Sequence, residues 1–227
     1  YTTLFRSLLH SRNPAVVLAV TRLIFYLAPA QDHRMLTRPL VRLLRSSPDV
    51  SYLVLLNILA ISRHDPSLFA PFTTSFLLGA SHEEPIFLSL LKLDLLVLLC
   101  NASNCSLVLA ELGAHMRSAD VAVSAHAVAC LGELALVKKL DASSACLSML
   151  LDLLRRRKSG PRVHDSTVAR AVLEIKNLLQ LSPELAALDA APGSRRTSAI
   201  VYRLAALLFG TTPKPNSAEK SKRKNVK

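Results

Sequence analysis

The sequence predicts an all-α fold, an α-solenoid in which helix pairs stack against one another. Four similar starts of the second helix of a pair recur about 35 residues apart, at Pro14, Asp49, Glu84 and Asp120. A period of this size is typical of helical-repeat proteins, whose helix pairs bury their apolar faces only against neighbouring pairs. The composition agrees: it is 51% hydrophobic with only 6 Gly and no Trp, and it is dominated by the good helix formers Leu and Ala.

Each unit predicts a first helix (A), a short polar turn and a more apolar second helix (B). In the first unit, helix A covers residues 3–11 and helix B covers 14–28. Pro14 suits a helix start, because its missing N–H costs nothing there. In the second unit, helix A covers residues 33–45 and helix B covers 49–63. The apolar residues of this B helix follow the spacing of one helical face: Val50, Leu53, Val54, Ile58 and Ile61.

Three further units follow. Predicted A helices cover residues 68–78, 105–117 and 142–157, and predicted B helices cover residues 85–101, 121–137 and 166–181. Asp165 and Ser166 are candidate N-caps of the last B helix, because their side chains can accept from the orphan amides of the first turn. The period lengthens by about ten residues before this helix. The extra residues, at 155–164, fall in a turn, where helical repeats accept insertions.

These units predict one helical-repeat domain over residues 1–182. Residues 183–210 are predicted to form a loop and one terminal helix, and residues 211–227 a disordered basic tail rich in Lys, Pro and Ser. The chain does not begin with Met, so we expect it to be a fragment of a longer protein.

The apolar stretches are too short and too charged to predict membrane spans. Mean hydropathy is +0.33, but residues 14–30 contain Arg22, and residues 86–100 contain Lys92 and Asp94. A spanning helix needs roughly 20 apolar residues, so we expect buried helices instead. The four cysteines form no CxxC pair, and no secretory signal precedes them. We therefore expect reduced thiols and a cytoplasmic protein.

The net charge of +12 is concentrated in the tail and in one turn. A possible basic contact surface in that turn consists of Arg155, Arg156, Arg157, Lys158 and Arg162. Such clusters attract anionic membranes or nucleic acid, and a solvated turn is the alternative. Ser198 follows two arginines near a predicted helix start. Because the helix dipole favours phosphate at that end, Ser198 is a possible phosphosite, with an ordinary charged first turn as the alternative.

No pattern in the sequence predicts catalysis, a cofactor or a metal ion. The chain has 7 His, and they suggest no set of convergent ligands such as a metal site requires. There is no nucleophile elbow and no phosphate-cradling glycine loop. We therefore expect a non-enzymatic protein.

Several segments carry a family resemblance: SRNPAVV (residues 11–17), LVRLLRS (40–46), VSYLVL (50–55), LKLDLL (91–96) and LAEL (109–112). In order and spacing, they resemble the trunk of the β-adaptin large subunits of clathrin-type adaptor complexes, over residues 4–182. LFAPF (68–72) and SF (75–76) look most like the β-adaptins of adaptor protein complex 3.

The resemblance implies HEAT/armadillo-like helix pairs in a right-handed superhelix. It also implies a scaffold subunit of a hetero-oligomeric vesicle-coat adaptor complex, acting in intracellular protein transport and cargo sorting. Implied partners are the medium subunit, the second large subunit and a small GTPase, at the cytoplasmic surface of Golgi and endosomal membranes. The alternative, suggested by a pI of about 10.0, is a basic helical-repeat protein that binds nucleic acid or nuclear-transport partners. Basic residues do not recur at one place in each repeat, so we expect no nucleic-acid binding.

Overall fold

The computed structural model describes residues 2–78, 84–137, 141–156 and 164–181, and within these ranges all regular structure is helical. The predicted all-α class is confirmed. In chain order, the α-helices are α1 (Thr2–Leu9), α2 (Pro14–Leu27), α3 (Arg34–Leu43), α4 (Pro48–His64), α5 (Ile86–Leu99), α6 (Cys105–His115), α7 (Val121–Val137), α8 (Asp141–Arg156) and α9 (Asp165–Leu181). The predicted terminal helix and basic tail lie outside the described residues.

The helices form two layers. In the B layer, α2, α4, α5, α7 and α9 follow one another, and each packs against the next. The A layer contains α1, α3, α6 and α8, and the A and B helices of each unit also pack together. This is the predicted stack of helix pairs, and its superhelical handedness stays a prediction.

The hydrophobic core lies between the two layers. Side chains from both layers are fully buried there, including Leu36 and Leu40 of α3, Ile58 of α4 and Leu95 of α5. Burying one such side chain contributes about 1.5–3 kcal/mol, so packing between neighbouring pairs supplies most of the stability. In the part of the chain that the structure describes, no helix is both long enough and apolar enough to cross a membrane.

Helix boundaries agree with the sequence predictions to within about two residues at either end, except in the third unit. At the start of α2, Asn13 Oδ1 accepts from Ala15 N at 2.9 Å, so an asparagine cap precedes the predicted proline. At α9, the capping prediction was one residue off. Asp165 lies in the first turn, and the carbonyl of His164 accepts from Val168 N at 3.1 Å.

The predicted α-helix at residues 68–78 was wrong. The chain instead forms two 3-10 helices, Pro66–Leu68 and Ala70–Phe76. Pro71 has no N–H to donate to an α-helical ladder, and Phe72 N donates to Phe69 O at 2.9 Å, as a 3-10 turn requires. Phe69 and Phe76 are fully buried, so the segment still fills its place in the A layer.

Candidate partner-binding face

The outer side of the B layer exposes apolar side chains that no other part of the described structure covers. Among the described residues, 14 large apolar side chains are exposed, and 12 of these lie on B helices. We call these 12 the B face: Leu23, Tyr26, Leu27, Tyr52, Leu53, Leu56, Ile86, Phe87, Val121, Leu136, Leu173 and Leu181. Exposed apolar groups concentrated on one layer of helices indicate a protein interaction surface.

The repeat period aligns side chains of neighbouring B helices. Tyr52 of α4 and Phe87 of α5 meet edge to face, with ring centroids 5.5 Å apart and planes at 81°. Arg22 of α2 donates from Nε to Asn57 Oδ1 of α4 at 3.1 Å, across a sequence separation of 35 residues. Positions one repeat apart therefore lie side by side, between α2 and α4 and between α4 and α5.

A polar cluster lies between α5 and α7. His126 Nε2 is 2.7 Å from Asp94 Oδ1, and Cys130 Sγ donates to the same oxygen at 3.9 Å. The side chains of His126 and Asp94 are 32% and 39% exposed, whereas Cys130 is buried. Burial raises the pKa of the Cys130 thiol, and the negative charges of Asp94 and Glu133 raise it further. The thiol is therefore protonated and neutral at physiological pH.

Beside this cluster, a groove of about 640 Å³ runs between α7 and α9. Its walls include alanines of α7 together with Glu133, Arg170 and Glu174. Arg170 Nε donates to Glu174 Oε1 at 2.8 Å, and only 9% of the Glu174 side chain is exposed. Gly132 allows this close approach, because a Cβ at that position would lie 2.8 Å from Glu174 Cδ.

The sequence-predicted site residues are not among these groups. Arg155 and Arg156 lie at the end of α8, but their side chains, like Arg157, Lys158 and Arg162, lie outside what the structure describes. The phosphosite Ser198 also lies outside the described residues. Both sites stay predictions.

The sequence patterns did not predict the cluster of Asp94, His126 and Cys130. One signal for part of it was available, because His126 and Cys130 are four residues apart and so share one face of a helix. Asp94 lies 32 residues before His126, close to one repeat period. Only the packing of α5 against α7 shows that its carboxylate reaches the other two side chains.

Comparison with known proteins agrees with this architecture. Residues 2–191 match the family described as the adaptin N terminal region. The chain belongs to the adaptin family. It is 35% identical to human AP-3 complex subunit beta-1 over 178 residues, which cover 78% of this chain and 15% of that protein. The AP-3 complex subunit beta of Dictyostelium discoideum is 34% identical over 175 residues, which cover 77% of this chain and 15% of the relative.

More distant similarity extends to plants and to a structure of the assembled complex. The Arabidopsis thaliana AP3-complex subunit beta-A is 31% identical over 181 residues, 78% of this chain and 18% of the relative. A chain from a homology model of the full-length AP-3 complex in an intermediate open conformation aligns with a TM-score of 0.67 and 24% identity. The alignment covers 93% of this adaptin and 32% of that chain, and it shows a shared fold.

These findings confirm the resemblance to β-adaptins of the AP-3 type. Adaptin subunits are non-enzymatic structural proteins, so the family also supports the prediction that the chain is not an enzyme. This adaptin spans about 15% of the length of the human relative. It aligns with one section of that longer protein.

Proposed function

We propose that this adaptin is a trunk section of a β subunit in an AP-3-type adaptor complex. In that role it is a scaffold for intracellular protein transport and vesicle-mediated cargo sorting. The similarity to AP-3 β subunits supports the type of complex. The observation that carries the proposal is the B face, because the B helices expose apolar side chains much more than the A helices do.

The proposed mechanism is burial of the B face against another subunit. Removing apolar surface from water contributes roughly 25 cal/mol per Å², and aromatic side chains dominate the energy of most interfaces. Tyr52 and Phe87 are the proposed centre of this contact, since they hold each other in an edge-to-face arrangement before any partner binds. The proposed partners are the medium subunit and the second large subunit, with a small GTPase recruiting the complex to Golgi and endosomal membranes.

Co-purification of a tagged full-length protein from cells tests this proposal. Leu53 and Phe87 are 48% and 43% exposed on the B face, and Leu107 of α6 is 37% exposed on the A layer. We expect the adaptor subunits not to co-purify with the double variant Leu53→Ser, Phe87→Ser. They should still co-purify with the control Leu107→Ser. Equal recovery of the subunits with both variants would refute the B face as the interface. Absence of adaptor subunits from the wild-type preparation would refute the function itself.

The basic turn and Ser198 are secondary proposals. We propose that Arg155, Arg156, Arg157, Lys158 and Arg162 contact anionic lipid and assist peripheral attachment, because basic clusters near a charged bilayer gain roughly 1 kcal/mol per residue. Flotation with vesicles that contain phosphatidylserine tests this: replacing the five residues by Gln should reduce binding at low salt. Phosphorylation of Ser198 should weaken lipid binding if the adjacent basic segment contributes to it.

No observation in the described part of the chain favours the alternative function in nucleic-acid binding. A salt titration with RNA separates the two hypotheses. Loss of binding on deletion of residues 211–227 would assign the affinity to a basic tail rather than to the helical repeats.

A further inference from the structure

Three side chains able to bind a metal converge between neighbouring repeats. Asp94 comes from α5, and His126 and Cys130 come from one face of α7. One oxygen, one nitrogen and one sulfur atom of these side chains all lie within 4.8 Å of one another. We propose that Asp94, His126 and Cys130 bind one Zn²⁺ ion, which joins two consecutive B helices of the trunk. This inference is independent of the proposed function.

Two of the three separations between ligand atoms need only a small adjustment to suit a tetrahedral site, and the third, between His126 and Cys130, is within 4.8 Å. With zinc bonds of about 2.0–2.3 Å, neighbouring ligand atoms lie roughly 3.3–3.7 Å apart. The 2.7 Å separation of His126 Nε2 and Asp94 Oδ1 must therefore widen by less than about 1 Å. The 3.9 Å separation of Cys130 Sγ and Asp94 Oδ1 must shrink by a few tenths of an ångström. The side chains of Asp94 and His126 are partly exposed and can make such shifts by small rotations towards the buried Cys130.

The donor set favours zinc over the oxygen-binding ions magnesium and calcium. A thiolate and an imidazole favour zinc over magnesium and calcium, which prefer oxygen ligands. The thiolate and the carboxylate together neutralise the ion's two positive charges. Cys130 is buried, whereas Asp94 and His126 reach solvent, so the ion has a path of entry. The adjoining groove, which His126 also lines, leaves room for water as a fourth ligand.

Zinc binding replaces the Cys130 thiol proton by a Zn–S bond and releases that proton to solvent. Binding should brace α5 against α7, because the bound ion holds residues of both helices.

Titration of the full chain with Co²⁺ in an oxygen-free, phosphine-reduced buffer tests the site. We expect one Co²⁺ per chain, a thiolate-to-cobalt charge-transfer absorption, and displacement of that absorption by one equivalent of Zn²⁺. Cys130→Ser should abolish the absorption. Asp94→Asn and His126→Ala should each lower the affinity for Zn²⁺. The loss should exceed the roughly 10–100-fold that removal of an outer-shell partner costs. Zinc should raise the thermal midpoint of the wild type and not that of Cys130→Ser.

Two controls locate the metal. His115 forms an i,i+4 pair with Glu111 on α6 at 3.2 Å and has no thiol in its pair, so His115→Ala should leave cobalt binding unchanged. Cys146 lies near Cys100 and Cys105, which both raise its pKa, and this cysteine group is the rival site. A cobalt absorption that survives Cys130→Ser and disappears with Cys146→Ser would overturn the proposal, as would the absence of any thiolate-to-cobalt absorption. Circular dichroism of each apo variant checks that its fold is retained.

Discussion

We expect position 132 to require glycine because of its close contact with α9 of the next unit, and not because of the backbone conformation of α7. It lies inside α7, where glycine costs about 0.8–1 kcal/mol relative to alanine. A Cβ at this position would lie 2.8 Å from Cδ and 2.9 Å from Cγ of Glu174 in α9. Cγ is close to the backbone of α9, so the whole Glu174 side chain would have to change rotamer. That side chain is almost fully buried and bonded to Arg170.

The two effects of Gly132→Ala have opposite signs. Overpacking a filled site costs about 1–3 kcal/mol, and the gain in helix propensity offsets about 0.8–1 kcal/mol of that. We therefore expect a net destabilisation of about 1 kcal/mol. In a Glu174→Ala background the clash is absent and only the propensity gain remains. There the same substitution should stabilise the protein by about 0.8–1 kcal/mol.

Urea unfolding followed by circular dichroism measures all four proteins of this double-mutant cycle. Gly113→Ala on α6 is the matched control, because its Cβ would meet only the terminal Cε of Met149, at 2.5 Å. A methionine end can move aside, so Gly113→Ala should be neutral or stabilising. If Gly132→Ala stabilises the wild type, or remains destabilising without Glu174, then close packing between α7 and α9 is not the reason for the glycine.

Two further predictions concern buried groups. Ser124 Oγ and Thr167 Oγ1 are 2.6 Å apart and buried between α7 and α9, so Ser124→Ala should cost about 1–3 kcal/mol by leaving the Thr167 hydroxyl unpaired. The double variant Ser124→Ala, Thr167→Val should recover part of that loss, as measured by its free energy of unfolding in urea. If the double variant is no more stable than Ser124→Ala, cavity formation dominates the loss. Burial, with Cys105 and Cys100 nearby, raises the pKa of Cys146 to about 12. Because an unfolded thiol ionises near pH 8.5, the unfolded chain loses this proton first, and stability should fall by about 1.4 kcal/mol per pH unit from there to about pH 12. Across that pH range, the urea midpoint of Cys146→Ala should fall less steeply with pH than the midpoint of the wild type. Equal slopes for the two proteins would contradict the raised pKa of Cys146.

The third unit shows where a sequence pattern is insufficient. Residues 68–78 carry apolar side chains at helical spacing, and the layer position predicted for them is correct. The backbone is nevertheless 3-10. Pro71 removes one donor from an α-helical ladder, and side chains stabilise the tighter turn. Thr73 Oγ1 donates to Ala70 O at 2.7 Å and accepts from Asn104 Nδ2 at 3.0 Å. Asn104 lies 31 residues further along the chain, so this support comes from the next unit.

The sequence by itself determined the helix pairs outside the third unit, the order of all five units and the family. Each of these depends on a local pattern: apolar periodicity, polar turns and a repeat of about 35 residues. Only the tertiary structure decided which apolar side chains stay exposed on the B face, and that Asp94 meets His126 and Cys130. The physical reason is that a B helix is apolar on nearly all sides, so its sequence pattern does not distinguish the side that stays exposed from the sides that are buried. Likewise, a contact between residues about one period apart depends on how neighbouring repeats pack.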